Sequence, residues 1–187
     1  MRIAVYGGSF NPPHLAHQLA CAVTLATASV DEVWMVPTFQ HAFDKPLAPY
    51  PERHAMCTEA ARVFGGRVVV SRIEEELGGA SYTLRTVKAL RERRPGDELV
   101  LVIGSDLVDE RVRWNGWEEL RTLVSFLVIG REGCHAASVE ARDRQVGIDL
   151  PGVSSTEVRR RIAAGEPTTG LLDEAVRAHI DRAGLYR

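Results

Sequence analysis

RIAVYGGSFNPPHLAH, residues Arg2 to His17, runs from a short apolar segment through two glycines and two prolines to a pair of histidines. The apolar run reads as a buried strand. Gly7 and Gly8 let the backbone turn tightly and approach a ligand closely. Pro12 and Pro13 are expected to pre-set the first turn of a helix. In an open parallel sheet the ligand crevice lies at the carboxyl ends of the strands, where a helix N-terminus offers unpaired N–H groups to an anion. A phosphate is the natural guest. His14 and His17, three residues apart, share one helix face and are placed to point at the same phosphate. The turn contains neither GxxxxGK[ST] nor GxGxxG, so the triphosphate P-loop and the ordinary dinucleotide fingerprint do not apply. No third ligand at a recognised spacing supports a metal held by the two imidazoles.

Outward from this turn, short apolar runs alternate with amphipathic segments. The spacing predicts strands at Arg2 to Tyr6, Glu32 to Val36, Val68 to Ile73, Glu98 to Ile103 and Phe126 to Gly130, with a weaker one at Gly147 to Leu150. Helices are predicted at His14 to Thr27, Pro51 to Phe64, Tyr82 to Arg93 and Trp114 to Leu123. Two more follow in succession, Ser155 to Ala164 and Asp173 to Ala183, separated by Gly165-Glu166-Pro167. The fold class is therefore α/β: a Rossmann-like open parallel sheet with helices on both faces and a C-terminal helical segment. The 187 residues fit one domain, 1–187. The stretch PTFQHAFDKPLAPYP, Pro37 to Pro51, carries four prolines and three aromatics and reads as a long binding loop.

Composition narrows the function. With 45% hydrophobic residues, 26% charged residues and a net charge of −2, the chain lacks the basic balance of a nucleic-acid-coating protein, so an anion must be bound locally. Cys21, Cys57 and Cys134 are odd in number and far apart, which suggests buried thiols rather than a disulfide framework or a zinc site. There is no signal-peptide pattern, and no run approaches the roughly 18 apolar residues of a membrane span. The expectation is a cytoplasmic enzyme without membrane or nucleic-acid partners; homo-oligomerisation stays open.

Three further motifs carry chemistry. Ser154-Ser155-Thr156-Glu157 reads as a capping box, with Ser154 as cap and Glu157 reaching back. Next to Arg159, Arg160 and Arg161 its free N–H groups and hydroxyls also make an anion site. Ile103-Gly104-Ser105-Asp106 ends a buried strand with a glycine and a carboxylate, which suits a nucleoside and its ribose hydroxyls. Trp117 reads as core, whereas Trp114 offers a flat aromatic platform. Lys45 and His41, in the proline-rich loop, can each reach a phosphate or simply be solvated.

The turn GGSFNPPHLAH resembles the GxFxPxHxGH signature of the nucleotidylyltransferase superfamily. The remaining motifs, in order, are similar to those of bacterial nicotinate-nucleotide adenylyltransferases: SYT at Ser81 to Thr83, IGSD at Ile103 to Asp106, Trp114 and the WEEL run, VSSTEVRRRI at Val153 to Ile162, and the ending HIDRAGLYR. The resemblance covers nearly the whole chain. It implies an enzyme that transfers the adenylyl group of ATP to nicotinic acid mononucleotide, with Mg2+ entering on the phosphates and no metal ligand from protein side chains. It assigns catalysis to His14 and His17, and ATP binding to Gly8, Ser9, Phe10, His14, His17, Gly104, Asp106, Ser154, Ser155, Thr156 and Arg159. It assigns the mononucleotide to Ser81, Tyr82, Thr83 and Trp114, whose ring would stack on the nicotinate; Lys45 is added to that set from its place in the proline-rich loop. The chain departs from the pattern at Ala16, where glycine is usual, at Asn11, where aspartate is frequent, and at the QHAFDK stretch, which replaces a compact PPHK-like loop. The competing readings are an adenylyltransferase using nicotinamide mononucleotide or another phosphorylated substrate, and a non-catalytic nucleotide-binding regulator.

Overall fold

The computed structural model describes residues 1–43, 45–132 and 143–187. Cys134 lies outside them; Cys21 and Cys57 are buried free thiols, as expected. In chain order the elements are β1 (Arg2–Gly8), α1 (Leu15–Thr27), β2 (Glu32–Pro37), α2 (Tyr50–Ala61), β3 (Val68–Val70), α3 (Ile73–Leu77) and α4 (Thr83–Arg93). Then come β4 (Glu98–Gly104), α5 (Trp117–Leu123), β5 (Ser125–Arg131), β6 (Arg144–Leu150), α6 (Ser155–Ala163) and α7 (Glu174–Ala183). Short 3-10 turns occupy Arg62–Phe64, Ser105–Leu107 and Arg111–Arg113.

The six strands form one sheet in the order β3-β2-β1-β4-β5-β6, and every neighbouring pair is parallel. Side chains on a strand alternate between faces, and the two cores follow that alternation. Ile3, Val5, Leu99, Leu101, Ile103, Phe126 and Val128 pack with Val87, Leu90, Trp117 and Leu120 of α4 and α5. Ala4, Val33, Met35, Val100, Val102, Leu127 and Ile129 pack with Ala20, Cys21, Cys57 and Ala61 of α1 and α2. A third cluster, Met56, Ala60, Val158, Ile162, Val176 and Ile180, fastens α6 and α7 to the outer side of α2. Apolar strands buried on both faces need helices on both faces, and this chain supplies them.

Several boundaries differ from the sequence reading, each for a local reason. β3 ends at Val70, and Ile73 opens a helix instead. The Ser71 hydroxyl accepts the Ile73 N–H, and three glutamates follow in the first turn, where negative charge suits the helix dipole. α5 begins at Trp117 rather than Trp114, because Gly116 is left-handed at φ 68°. β6 starts at Arg144 and so is longer than the expected Gly147 to Leu150. Pro12 and Pro13 lie in the turn before the N-cap His14, not in the first helical turn; the Asn11–Pro12 bond is cis. None of the described helices is long and apolar enough to cross a membrane.

Candidate active site

The chain leaves β1 towards β2 and β3, then returns to lay β4 on the other side of β1. That reversal opens a crevice at the carboxyl ends of the strands. There the structure has a cleft of about 540 Å³, walled by the ends of β1, β4 and β5, the first residues of α1 and α6, and the loops carrying Lys45 and Ser81. It brings together thirteen of the expected residues: Gly8, Ser9, His14, His17, Gly104, Asp106, Ser154, Ser155 and Thr156 on one side of the assignment, and Lys45, Ser81, Thr83 and Trp114 on the other.

The histidine turn is held from several directions. His14 is the N-cap of α1 in extended conformation, and His17 is the third residue of the helix. Their rings lie 3.8 Å apart at 36°. The His14 N–H donates to His17 Nδ1 at 3.1 Å. Phe10 sits edge-on to His17 at 4.9 Å and to Tyr6 at 5.5 Å. A side chain at Gly8 would press on the Phe10 ring, where a Cβ atom would come within 3.1 Å. The glycine thus leaves room for the ring that supports His17. Burial, reinforced by the Arg131 charge, lowers the His14 pKa to about 4. Burial also holds His17 well below its ordinary value, with His14 and Arg131 adding to it. Both imidazoles are therefore neutral near neutral pH.

The N-terminus of α6 docks on the same turn. The Ser155 hydroxyl donates to the Pro12 carbonyl at 2.9 Å, and Ser154 caps α6 by accepting the Glu157 N–H. The expected return contact of Glu157 is not made: its carboxylate binds Arg160 and Arg161 instead. Those charges compete successfully for it and hold its pKa down to about 2. Arg159 reaches the other way. Its Nη1 donates to the Asn11 carbonyl at 2.7 Å and its Nη2 to the Thr156 hydroxyl at 3.3 Å, which places the guanidinium at the rim, beside the cleft wall.

Two other expected residues lie off the wall. Phe10 is 1% exposed and lies beneath the turn, so its ring supports His17 instead of facing a ligand. Tyr82 is the N-cap of α4 and its side chain faces outward, 40% exposed, in a shallow second groove. Three contributors were given no site role from the sequence. Arg131, at the end of β5, pairs with Asp106 at 3.0 Å. Asn11 Oδ1 accepts from the Tyr186 hydroxyl at 2.7 Å and from the Ala48 N–H at 3.1 Å, tying the C-terminus to the turn. Glu74, 6% exposed, lines the cleft and accepts a hydrogen bond from the Thr86 hydroxyl. The position of Arg131 at the carboxyl end of a strand was a usable signal; the IEEEL stretch bearing Glu74 is too short to show a period.

The cytidylyltransferase-like family model matches residues 5–161. A probable nicotinate-nucleotide adenylyltransferase of Anaeromyxobacter dehalogenans is 42% identical over 188 residues, 99% of this chain and 96% of the relative. The nicotinate-nucleotide adenylyltransferase of Bacillus subtilis is 30% identical over 195 residues, 99% of this chain and 98% of the relative. Among solved structures, a Plasmodium falciparum nicotinic acid mononucleotide adenylyltransferase complexed with NaAD superposes with a TM-score of 0.84 at 21% identity, covering 99% of this chain and 97% of that one.

Proposed function

The chain belongs to the cytidylyltransferase-like family, among the nicotinate-nucleotide adenylyltransferases, and from that premise we propose that it joins the adenylyl group of ATP to nicotinic acid mononucleotide. An oxygen of the mononucleotide 5'-phosphate forms a bond to the α-phosphorus of ATP. The bond from that phosphorus to the bridging oxygen of the β-phosphate breaks. Pyrophosphate leaves, and nicotinic acid adenine dinucleotide is the other product. The carrying observation is the close His14–His17 ring pair at the N-terminus of α1, in one cleft with Ser81, Thr83 and Trp114.

Two polyanions have to be brought together, so positioning and charge neutralisation do most of the catalysis. His14 and His17 donate to phosphate oxygens as charge builds on them. Thr156 and the first turn of α6 receive the pyrophosphate, with Arg159 beside them. Gly104 and Asp106 meet the nucleotide, and Trp114 stacks on the pyridine ring. Lys45 meets the mononucleotide phosphate. Among the described residues no three His, Cys, Asp or Glu side chains stand close enough to hold an ion, and the cleft carboxylates Asp106 and Glu74 are engaged by Arg131 and Thr86. This chemistry fits Mg2+ carried mainly by phosphate oxygens and supplying charge neutralisation there. Purified protein incubated with ATP, Mg2+ and a panel of phosphorylated acceptors tests the reading. Pyrophosphate should appear with nicotinic acid mononucleotide. Release with phosphopantetheine alone, or with no acceptor of the panel, overturns it.

A further inference from the structure

Arg53, in the first turn of α2, is 1% exposed. Its Nε donates to the Ala48 carbonyl at 2.8 Å, Nη1 to the Ser9 carbonyl at 2.9 Å and Nη2 to the Phe39 carbonyl at 3.3 Å. These carbonyls belong to three segments: the turn after β1, the exit from β2 and the approach to α2. Phe39 and Ala48 are the two ends of the proline-rich loop, so the guanidinium closes the neck of a compact loop and fastens it to the histidine turn. Two main-chain amides repeat the attachment. Thr38 N–H donates to the Gly8 carbonyl at 2.9 Å, and Ala48 N–H to Asn11 Oδ1 at 3.1 Å.

The three acceptors are neutral, and among the described residues no carboxylate pairs with Arg53. A cation buried with no carboxylate beside it among the described residues is costly, and the Tyr50 ring 5.6 Å from the guanidinium offsets that only in part, so packing alone gives little reason for an arginine here. A planar fork reaching three carbonyls in fixed directions does, and lysine cannot reproduce it. Resting on the reading of Lys45 as a mononucleotide contact, we propose that Arg53 is a positioning residue for adenylyl transfer: it clamps the neck of the 38–48 loop to the β1 turn and so keeps Lys45 on the wall of the cleft that holds His14 and His17.

The test compares wild type, Arg53→Lys, Lys45→Ala and the double variant. Arg53→Lys should raise KM for nicotinic acid mononucleotide by about 10-fold or more while moving KM for ATP and kcat by less than about threefold. In the Lys45→Ala background it should add less than about threefold, because residues acting as a unit are not additive. A mononucleotide KM unchanged within about twofold, equal losses for both substrates, or additive effects would overturn the proposal. A second readout is independent of activity. Chymotrypsin cleavage after Phe43, which is 87% exposed, should be about 10-fold faster in Arg53→Lys well below its Tm, and an unchanged rate counts against the clamp. Should Arg53→Lys fail to fold, hydrogen exchange in the wild type decides. The Thr38 and Ala48 amides should be protected at least about 10-fold more than Ala42, and equal exchange removes the neck. Should the wild type prove inactive with this mononucleotide, the substrate reading fails while the proteolysis and exchange results still judge the clamp.

Discussion

The main-chain N–H of His14 donates to Nδ1 of His17 across 3.1 Å, so one histidine sets the tautomer of the other. A neutral imidazole that accepts at Nδ1 carries its proton on Nε2. His17 therefore faces the cleft as an Nε2–H donor before any ligand arrives, with the Phe10 ring against its edge. Nδ1 of His14 is buried and has no hydrogen-bond partner among the described residues.

This arrangement separates two variants. His17→Ala removes the Nε2–H donor and also the acceptor for a first-turn amide of α1. Turnover should fall about 100-fold or more, on the order of losing one preorganised donor, and stability by about 1 kcal/mol, the scale of a lost N-terminal cap. His14→Ala keeps the main-chain N–H and its bond to His17. It should lose turnover to a similar degree with a smaller shift in urea midpoint. Near-normal kcat in both variants would remove the catalytic role of this turn.

Without added substrate, acid should destabilise the protein above the range where carboxylates titrate. His14, with a pKa of about 4, and His17, held lower than its ordinary value, stay neutral in the fold. The unfolded chain takes up protons on both as pH drops below about 6.5. The unfolded state thus binds more protons in that window, so stability falls as pH falls and is level above it. His41 and His54, also lowered by burial, act in the same direction. The drop in urea midpoint between about pH 7 and pH 5 should be shallower in His14→Gln than in the wild type; an equal drop means the imidazole is not held neutral.

Much of this architecture is legible in the sequence, because strands buried on both faces leave unbroken apolar runs such as LVLVI and FLVIG between amphipathic helices. What escapes is whatever depends on where a side chain goes after the fold closes. Phe10 sits within the signature turn yet packs under it, and nothing local distinguishes a ring beneath a turn from one above. Arg53 carries no local signal, because its acceptors are main-chain carbonyls that no sequence pattern marks. Ile73 looks like the end of a strand, since its burial is satisfied equally well by the first turn of a short helix. Trp114 and Trp117 read as one helix in the sequence, and only the left-handed Gly116 shows that they are not.

Arg159→Ala should impair ATP use more than Arg160→Ala or Arg161→Ala. Arg160 is held by Glu157 and Glu166, and Arg161 by Glu157 and the Pro167 carbonyl, so both charges are matched on the outer face of α6. Among the described residues Arg159 hydrogen-bonds only neutral oxygens, one of them on the cleft-lining Thr156. Losing it should raise KM for ATP roughly 10- to 100-fold, the scale of a hydrogen bond to a charged group, while the other two change it less than about twofold. Equal effects at all three positions would indicate a diffuse basic face.

The last prediction concerns the choice of mononucleotide: the acid should be used better than the amide. Helix α4 begins at Thr83 with no side-chain cap and no acidic residue in its first turn. The Ser81 hydroxyl oxygen accepts the Phe39 N–H at 2.9 Å. Uncapped amides at a helix N-terminus favour a carboxylate over a neutral amide group, which would bring donors of its own to a donor-rich site. Glu74 opposes this, since it stands in the same cleft as Ser81, Thr83 and Trp114. The Thr86 hydroxyl binds its carboxylate without removing the charge. The wild-type ratio of kcat/KM, acid over amide, should therefore exceed one, and Glu74→Gln, which keeps shape while lowering negative charge, should raise it further. Steady-state kinetics with both substrates checks each part. A wild-type ratio at or below one removes the acid preference while leaving adenylyl transfer intact. A ratio that falls in Glu74→Gln would mean that this carboxylate works for the acid substrate, by holding Thr86 in place, and not against it.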